Sequence, residues 1–259
     1  LLAALNTQGG TELTEPTMTR THTENMLRSF GADITCKPKD LGQVVTINGP
    51  IRLKATDVKV PGDPSSAAFL IAAALIVPGS DIVVENVMMN DTRSGLFEVL
   101  NEMGAFLRAD NFRLSGGETI AELHVRHAPL NGIVVPAQRV PSMVDEYPIL
   151  AMIAATAQGQ TVLHGLDELR VKESDRLTGT RDILVKNGVD ASITGDTLTV
   201  VGVGKTGSIS GGATIKTHHD HRMAMSALIL GLVAEKPVKI DDASMIATSF
   251  PGFFDLTIG

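Results

Sequence analysis

Apolar residues in this chain collect into runs long enough for helices, and each run ends at a Gly or Pro break before a short β-rich stretch. The pattern occurs four times. Residues 1–5 break at Gly9-Gly10 and lead into Thr11-Glu12-Leu13-Thr14, and residues 67–77 break at Pro78-Gly79 and lead into Ile82-Val83-Val84. Residues 149–157 break at Gly159 before Thr161-Val162-Leu163, and residues 223–234 break near Pro237 before Val238-Lys239-Ile240. Three of these strands precede a second helical pattern that stops at Gly31, Gly104 or Gly188. Glycine takes the left-handed conformation at little cost, so it suits a helix stop. Further strand patterns follow each stop, at Val44-Val45-Thr46-Ile47, Leu123-His124-Val125 and Thr197-Leu198-Thr199-Val200.

The repeating unit is therefore helix, strand, helix, strand, strand, with a period of roughly 70–85 residues, which points to an α/β unit used several times rather than a solenoid. Asp63 reads as an N-cap, with Pro64 at the first helical position after an extended linker. The spacing predicts a domain boundary near residues 56–62. Residues 1–57 form the remnant of one domain, and residues 58–259 form a second that is nearly whole. The opening Leu1-Leu2-Ala3-Ala4-Leu5 has no methionine and no basic stretch, so it reads as the tail of an apolar helix that starts upstream, and the chain as a fragment.

Composition narrows the function. The chain has 259 residues, is 43% hydrophobic and carries a formal net charge of −7, so it is an ordinary globular chain without a basic field for a nucleic-acid backbone. Without Trp, and with Tyr147 as the single Tyr, it has almost no base-stacking surface. Cys36 is the one cysteine, which excludes an internal disulfide and a Cys-rich zinc site. Residues 67–77, the longest strictly apolar run, are too few to span a bilayer and read as a buried helix.

Candidate chemistry collects at the helix starts. Arg20, Arg93 and Arg176 each stand near the start of a second helix, eleven or twelve residues before its closing glycine. A guanidinium beside unpaired helix N–H groups suits a phosphate or carboxylate; the plainer reading is a surface ion pair. Lys172-Glu173-Ser174-Asp175-Arg176 lies between a strand and a helix, where binding residues often gather, though charges this dense usually form a solvated face. Asp63, Asp145-Glu146 and Asp220 mark the first helices, and capping explains Asp63 fully. Asp145 precedes an almost wholly apolar helix, a setting that raises a carboxyl pKa and makes it a candidate base. His218-His219-Asp220-His221-Arg222 invites a metal reading, but adjacent side chains fan apart and Arg222 repels a cation. An anion site with Arg222 as clamp and His221 as hydrogen-bond partner suits it better.

Asp145-Glu146-Tyr147-Pro148, Lys172-Glu173-Ser174-Asp175-Arg176 and Asp220-His221-Arg222-Met223-Ala224-Met225, in that order and spacing, resemble the 5-enolpyruvylshikimate-3-phosphate synthase family. Val60-Pro61-Gly62-Asp63-Pro64-Ser65-Ser66 and Ala247-Thr248-Ser249-Phe250-Pro251 fit the bacterial class with glyphosate-tolerant members. The resemblance covers the whole chain, as the C-terminal part of a complete enzyme. It implies two similar domains of βαβαββ units around pseudo-threefold symmetry, with the site in the cleft between them. The implied activity moves the enolpyruvyl group of phosphoenolpyruvate to the 5-hydroxyl of shikimate-3-phosphate, with no metal or organic cofactor, in a cytoplasmic enzyme that is monomeric when complete.

Carried over by motif, Asp145 accepts the hydroxyl proton, Lys172 binds the shikimate hydroxyls and Glu173 gives the methylene carbon its proton. Arg176 and Arg222 hold phosphoenolpyruvate, and Arg20 meets the shikimate phosphate. Two departures stand out. Thr248 occupies a place where many members have Lys, and further substrate-binding groups are expected upstream of Leu1, so this chain alone is expected to be inactive. The rival readings are the related UDP-N-acetylglucosamine enolpyruvyl transferase, a non-catalytic protein that kept the fold, and a metal hydrolase built on the histidines.

Overall fold

The computed structural model describes residues 1–257. Three sheets, two antiparallel and one mixed, repeat one order, with the last strand of each unit between the two before it. In the first, β1 (Gly9–Glu15) and β2 (Ile34–Lys39) flank β3 (Gly42–Gly49), and α1 (His22–Ser29) joins β1 to β2. The second follows α2 (Pro64–Ile76): β4 (Asp81–Met88) and β5 (Phe106–Ser115) flank β6 (Glu118–Arg126), with α3 (Gly95–Glu102) between β4 and β5. The third contains a full βαβαββ unit. β7 (Val134–Val135) leads through α4 (Val140–Met143) and α5 (Tyr147–Ala154) to the parallel strand β8 (Gln158–Leu163). Then α6 (Arg176–Lys186), β9 (Asp190–Thr194) and β10 (Thr197–Val203) complete the order β7-β8-β10-β9.

A further copy begins with β11 (Ile209–Gly211), β12 (Thr214–Ile215) and α7 (His221–Gly231). Its strands β13 (Ala234–Lys236) and β14 (Lys239–Ile240) pair in parallel with β11 and β12, followed by α8 (Ile246–Ser249) and α9 (Phe253–Thr257).

All three second helices stop as their sequences require. Gly31, Gly104 and Gly188 have φ of 85°, 89° and 87°, where a side chain is strained. Asp63 caps α2 by accepting hydrogen bonds from the Ser65 and Ser66 amides at 3.2 and 3.0 Å. The first helices α2, α5 and α7 pack on one another, and every residue of α5 is buried. A helix apolar on all sides belongs inside. Their small residues, such as Ala68, Ala72, Ala151 and Ala224, let the three helices approach closely.

Two hydrophobic cores result, one within residues 4–47 and one running from 67 to 253. Residues 51–61 join them without helix or strand. Around Phe253, the rings of Phe69, Phe250 and Phe254 stand edge-on, which ties α9 to α2.

Within the opening residues the described turn is a single 3-10 stretch, Ala3–Asn6. Periodicity overshoots two elements. The helix expected to 157 ends at Ala154, and the one expected to 234 ends at Gly231. Sheet pairing takes the residues beyond: Gln158 pairs with Val203 and Ala234 with Ile209. Apolar residues suit either environment, so their period alone does not locate the change.

Ile71 is wholly buried in α2. Replacing it with Ala is expected to cost about 2–5 kcal/mol through lost burial and the cavity left behind. Urea unfolding tests this, as a lower midpoint with unchanged slope.

Candidate functional site

The helix starts meet at one end of the larger core. Arg176, the first residue of α6, is only 1% exposed and forms the centre of the site. Its Nε donates to Asp220 Oδ2 at 2.8 Å, its Nη1 donates to Asp145 Oδ1 at 3.1 Å, and its Nη2 lies 2.5 Å from Glu173 Oε2. Asp220, fully buried, also accepts from Ser174 Oγ at 2.9 Å and from the Arg222 amide at 3.0 Å, so it caps α7 as well. A buried guanidinium is tolerable only when paired and hydrogen-bonded this fully. Burial pushes the Asp220 carboxyl up, but hydrogen bonding and charge from Arg176 outweigh it and hold it below the usual carboxylate range.

Asp145 stands among cations. Besides Arg176, Lys172 Nζ lies 4.0 Å from Oδ1 and Arg222 Nη2 lies 3.9 Å from Oδ2. Lys172 also pairs with Glu168 at 2.5 Å. The raised pKa expected at position 145 is wrong. Burial does push this carboxyl up, but Arg222, Lys172, Arg176 and Arg20 together hold it below the usual range. The raised group is its neighbour Glu146, which is buried and whose carboxyl gains too little from Ser65, Arg222 and Arg93 to offset desolvation.

Arg20 enters from the smaller core. Its Nη1 donates to the Thr92 carbonyl at 3.0 Å. That carbonyl is fixed because Asn90 Oδ1 accepts from the Thr92 amide at 3.0 Å and hydroxyl at 2.7 Å. Asn90 Nδ2 donates in turn to Glu118 Oε2 at 2.9 Å, and the His22 ring lies 2.7 Å from Glu118 Oε1. Burial and then Arg93 lower the Arg20 pKa, while Glu146 and Asp145 oppose them. Arg20 therefore shares the field of the acids and arginines on the other side.

All six sequence-derived site residues, Arg20, Asp145, Lys172, Glu173, Arg176 and Arg222, thus fall in one cluster. Arg93 takes the plainer role weighed for it, donating to Asp63 at 3.2 Å and to Ser65 Oγ at 2.6 Å. Asp175 caps α6 by accepting from the Thr178 amide. His221 is half-buried, and desolvation followed by Arg222 lowers its pKa. His219 points outward, 3.6 Å from Asp242. Among the described residues, no group of three or more His, Cys, Asp or Glu side chains is placed to hold a metal ion. Thr248 donates its hydroxyl to the Met245 carbonyl at 2.7 Å.

Asn90 and Glu118 carry no signal in the sequence pattern, and Ser65 and Glu146 enter it only as members of motifs. Glu118 follows a Gly-Gly turn and is buried where α1 and Asn90 approach it. A cavity of about 860 Å³ lies away from the charges, lined by Ile76, Leu130, Thr156, Ile209 and Leu232 near the far ends of the first helices. It is mostly apolar and carries none of the clustered acids.

Asp220→Asn is expected to cost about 3 kcal/mol, the low end for breaking a buried pair, because Asp145 and Glu173 still touch Arg176. The sign with pH follows from the lowered pKa: this stability is present above the unfolded-state value and is lost as pH falls through the folded one. Urea titrations across acidic pH check it, with the variant losing the Asp220 share of that pH dependence.

The EPSP synthase family, described as EPSP synthase (3-phosphoshikimate 1-carboxyvinyltransferase), matches residues 1–256. A 3-phosphoshikimate 1-carboxyvinyltransferase of Chelativorans sp. (strain BNC1) is 56% identical over 260 residues, which take in 100% of this chain and 58% of that protein. One from Gluconobacter oxydans (strain 621H) is 54% identical, covering 99% of this chain and 58% of that protein. The solved EPSP synthase of Acinetobacter baumannii is similar with a TM-score of 0.93 and 45% identity, over 99% of this chain and 57% of that one. The enolpyruvyl transferase NikO from Streptomyces tendae shares the fold at a TM-score of 0.74 and 19% identity, over 99% of this chain and 56% of that one. The chain spans about 58% of the length of the curated relatives it matches. With the α/β enolpyruvyl transferase fold along its length, the chain belongs to the EPSP synthase family.

Proposed function

We propose that the chain is the C-terminal part of a 3-phosphoshikimate 1-carboxyvinyltransferase, with residues 1–57 belonging to the first domain and 58–259 to the second. In this reading it transfers the enolpyruvyl group from phosphoenolpyruvate to the 5-hydroxyl of shikimate-3-phosphate and releases phosphate. The observation that carries the reading is the meeting of Asp145 and Glu173 on the buried Arg176 guanidinium, with Lys172 and Arg222 beside Asp145. Packing alone requires none of these charges.

The reaction explains the residue types. The shikimate oxygen attacks the substituted enol carbon while the methylene carbon gains a proton, which gives a tetrahedral adduct. Departure of phosphate and loss of a proton from the new methyl group then restore the double bond. Asp145 takes the hydroxyl proton, and Glu173, half-exposed beside Arg176, gives and later removes the proton on carbon. Lys172 orients the shikimate hydroxyls, Arg20 takes the shikimate phosphate, and Arg176 and Arg222 hold the phosphoenolpyruvate anion. Two anionic substrates need such fixed cations in a closed cleft.

Charge balance also tunes the base. In the free protein, four cations hold the Asp145 carboxyl low, which makes it a weak proton acceptor. When substrate anions occupy Arg222 and Arg176, their pull on Asp145 falls and its basicity rises. Binding thus prepares the base for the hydroxyl it meets.

The remaining substrate contacts come from an upstream segment of the same enzyme, which acts as a cytoplasmic monomer without metal or cofactor. No described helix is long and apolar enough to cross a membrane.

Two measurements test the reading. This chain alone is expected to release no phosphate above background, whereas the chain joined to the upstream segment of the Chelativorans relative turns over both substrates; full activity of the isolated chain contradicts it. In the joined enzyme, Asp145→Asn is expected to lower kcat by at least about 100-fold, the scale of losing a general base. A fall below threefold removes Asp145 from the mechanism.

A further inference from the structure

Glu146 is a buried acid of the site to which the reaction above gives no task. It is 3% exposed, adjoins Asp145 and precedes the wholly buried helix α5. Two side chains from separate elements meet its carboxyl, and a third supports one of them. Arg93 donates to Ser65 Oγ at 2.6 Å, and the Ser65 hydroxyl donates to Glu146 Oε1 in a short hydrogen bond. On the other side of that oxygen, Arg222 Nη1 lies 3.6 Å away. Glu146 Oε2 is buried and has no hydrogen-bond partner among the described residues.

The contrast between the two anion-holding arginines shows what this acid does. Arg176 is locked by contacts of 2.5, 2.8 and 3.1 Å to three carboxylates. Arg222 has nothing comparable. Its guanidinium donates to the Asp145 carbonyl at 3.3 Å and otherwise faces Glu146 at 3.6 Å and Asp145 at 3.9 Å. A guanidinium so loosely held moves toward whichever carboxylate is nearer and more highly charged. Asp145 is the ionised one, and burial favours the neutral form of Glu146. Without an acceptor at position 146, Arg222 is free to fall onto Asp145, which takes a cation from the anion site and blocks the base.

We propose that Glu146 is a positioning residue: fixed by Ser65, its carboxyl oxygen holds Arg222 away from Asp145 and toward the phosphoenolpyruvate anion. The inference rests on the reaction assigned above and gives that site a part which the motif comparison did not assign. A neutral acceptor is enough for this role, so an amide can replace the acid. The chain from Arg93 through Ser65 also links Arg222 to the start of α2, where Asp63 holds Arg93.

The test uses this chain joined to the upstream segment of the Chelativorans relative, with kcat and both KM values measured. Glu146→Ala is expected to raise the KM for phosphoenolpyruvate about tenfold, the scale of one lost positioning contact, while the KM for shikimate-3-phosphate stays within about twofold. Glu146→Gln, which keeps an oxygen for Ser65 and Arg222, is expected to recover most of that loss. Ser65→Ala, which removes the anchor without emptying the carboxyl's volume, is expected to give a smaller rise in the same constant. A second readout needs no turnover: phosphoenolpyruvate raises the melting temperature of the isolated wild-type chain, and raises that of the Glu146→Ala chain less.

Unchanged KM values in both Ala variants overturn the proposal, as does a fall in kcat alone or a Gln variant as impaired as Ala. If Glu146→Ala does not fold, Ser65→Ala and Glu146→Gln decide by the same constants. A wild type that neither turns over in the joined enzyme nor responds to phosphoenolpyruvate overturns the assigned reaction, and this inference with it. A responsive wild type with indifferent variants overturns the inference alone.

Discussion

The site depends on a guanidinium placed where water does not reach. Arg176 enters the end of the larger core with almost no exposed surface, and Asp220 beneath it has none. Neither charge is tolerable there alone, so each requires the other, and together they fix the starts of α6 and α7. Asp145 and Glu173 take their places from the remaining faces of the same guanidinium. One cation therefore sets the distance between the two acids that the proposed chemistry uses as proton acceptor and donor.

The repeat supplies the geometry that makes this possible. Each unit sends a buried first helix through the core, and the starts of α2, α5 and α7 gather at one end. Residues far apart in sequence, such as Ser65, Glu146 and Arg222, become neighbours because they occupy related places in successive units. The contribution of the smaller core is Arg20, held through Thr92 and Asn90 by the buried Glu118.

Much of this was legible in the sequence because its signals are local. A glycine after an apolar turn announced all three second-helix stops, and Asp63-Pro64 announced the start of α2. The charged motifs could be placed at helix starts for the same reason. What failed needed tertiary information. Asp145 and Glu146 are adjacent and alike, and nothing local says which one faces four cations and which one turns inward. The pKa order came out reversed from expectation at Asp145 because the deciding charges lie up to 125 residues away in the chain, at Arg20 and Arg222. Glu118 was hidden similarly, since a hairpin acid becomes buried only when another element covers it. The ends of α5 and α7 were overrun because apolar residues serve a helix and a sheet equally, until pairing decides between them.

The central claim is that this cluster moves a proton onto carbon and back off while phosphate leaves. Proton NMR of the product formed in D2O tests it most directly, using the joined enzyme with both substrates. The account predicts deuterium in the vinyl methylene of the enol ether, and loss of that incorporation together with phosphate release in Glu173→Gln. Phosphate release with no deuterium in the product, or undiminished incorporation in the variant, contradicts it.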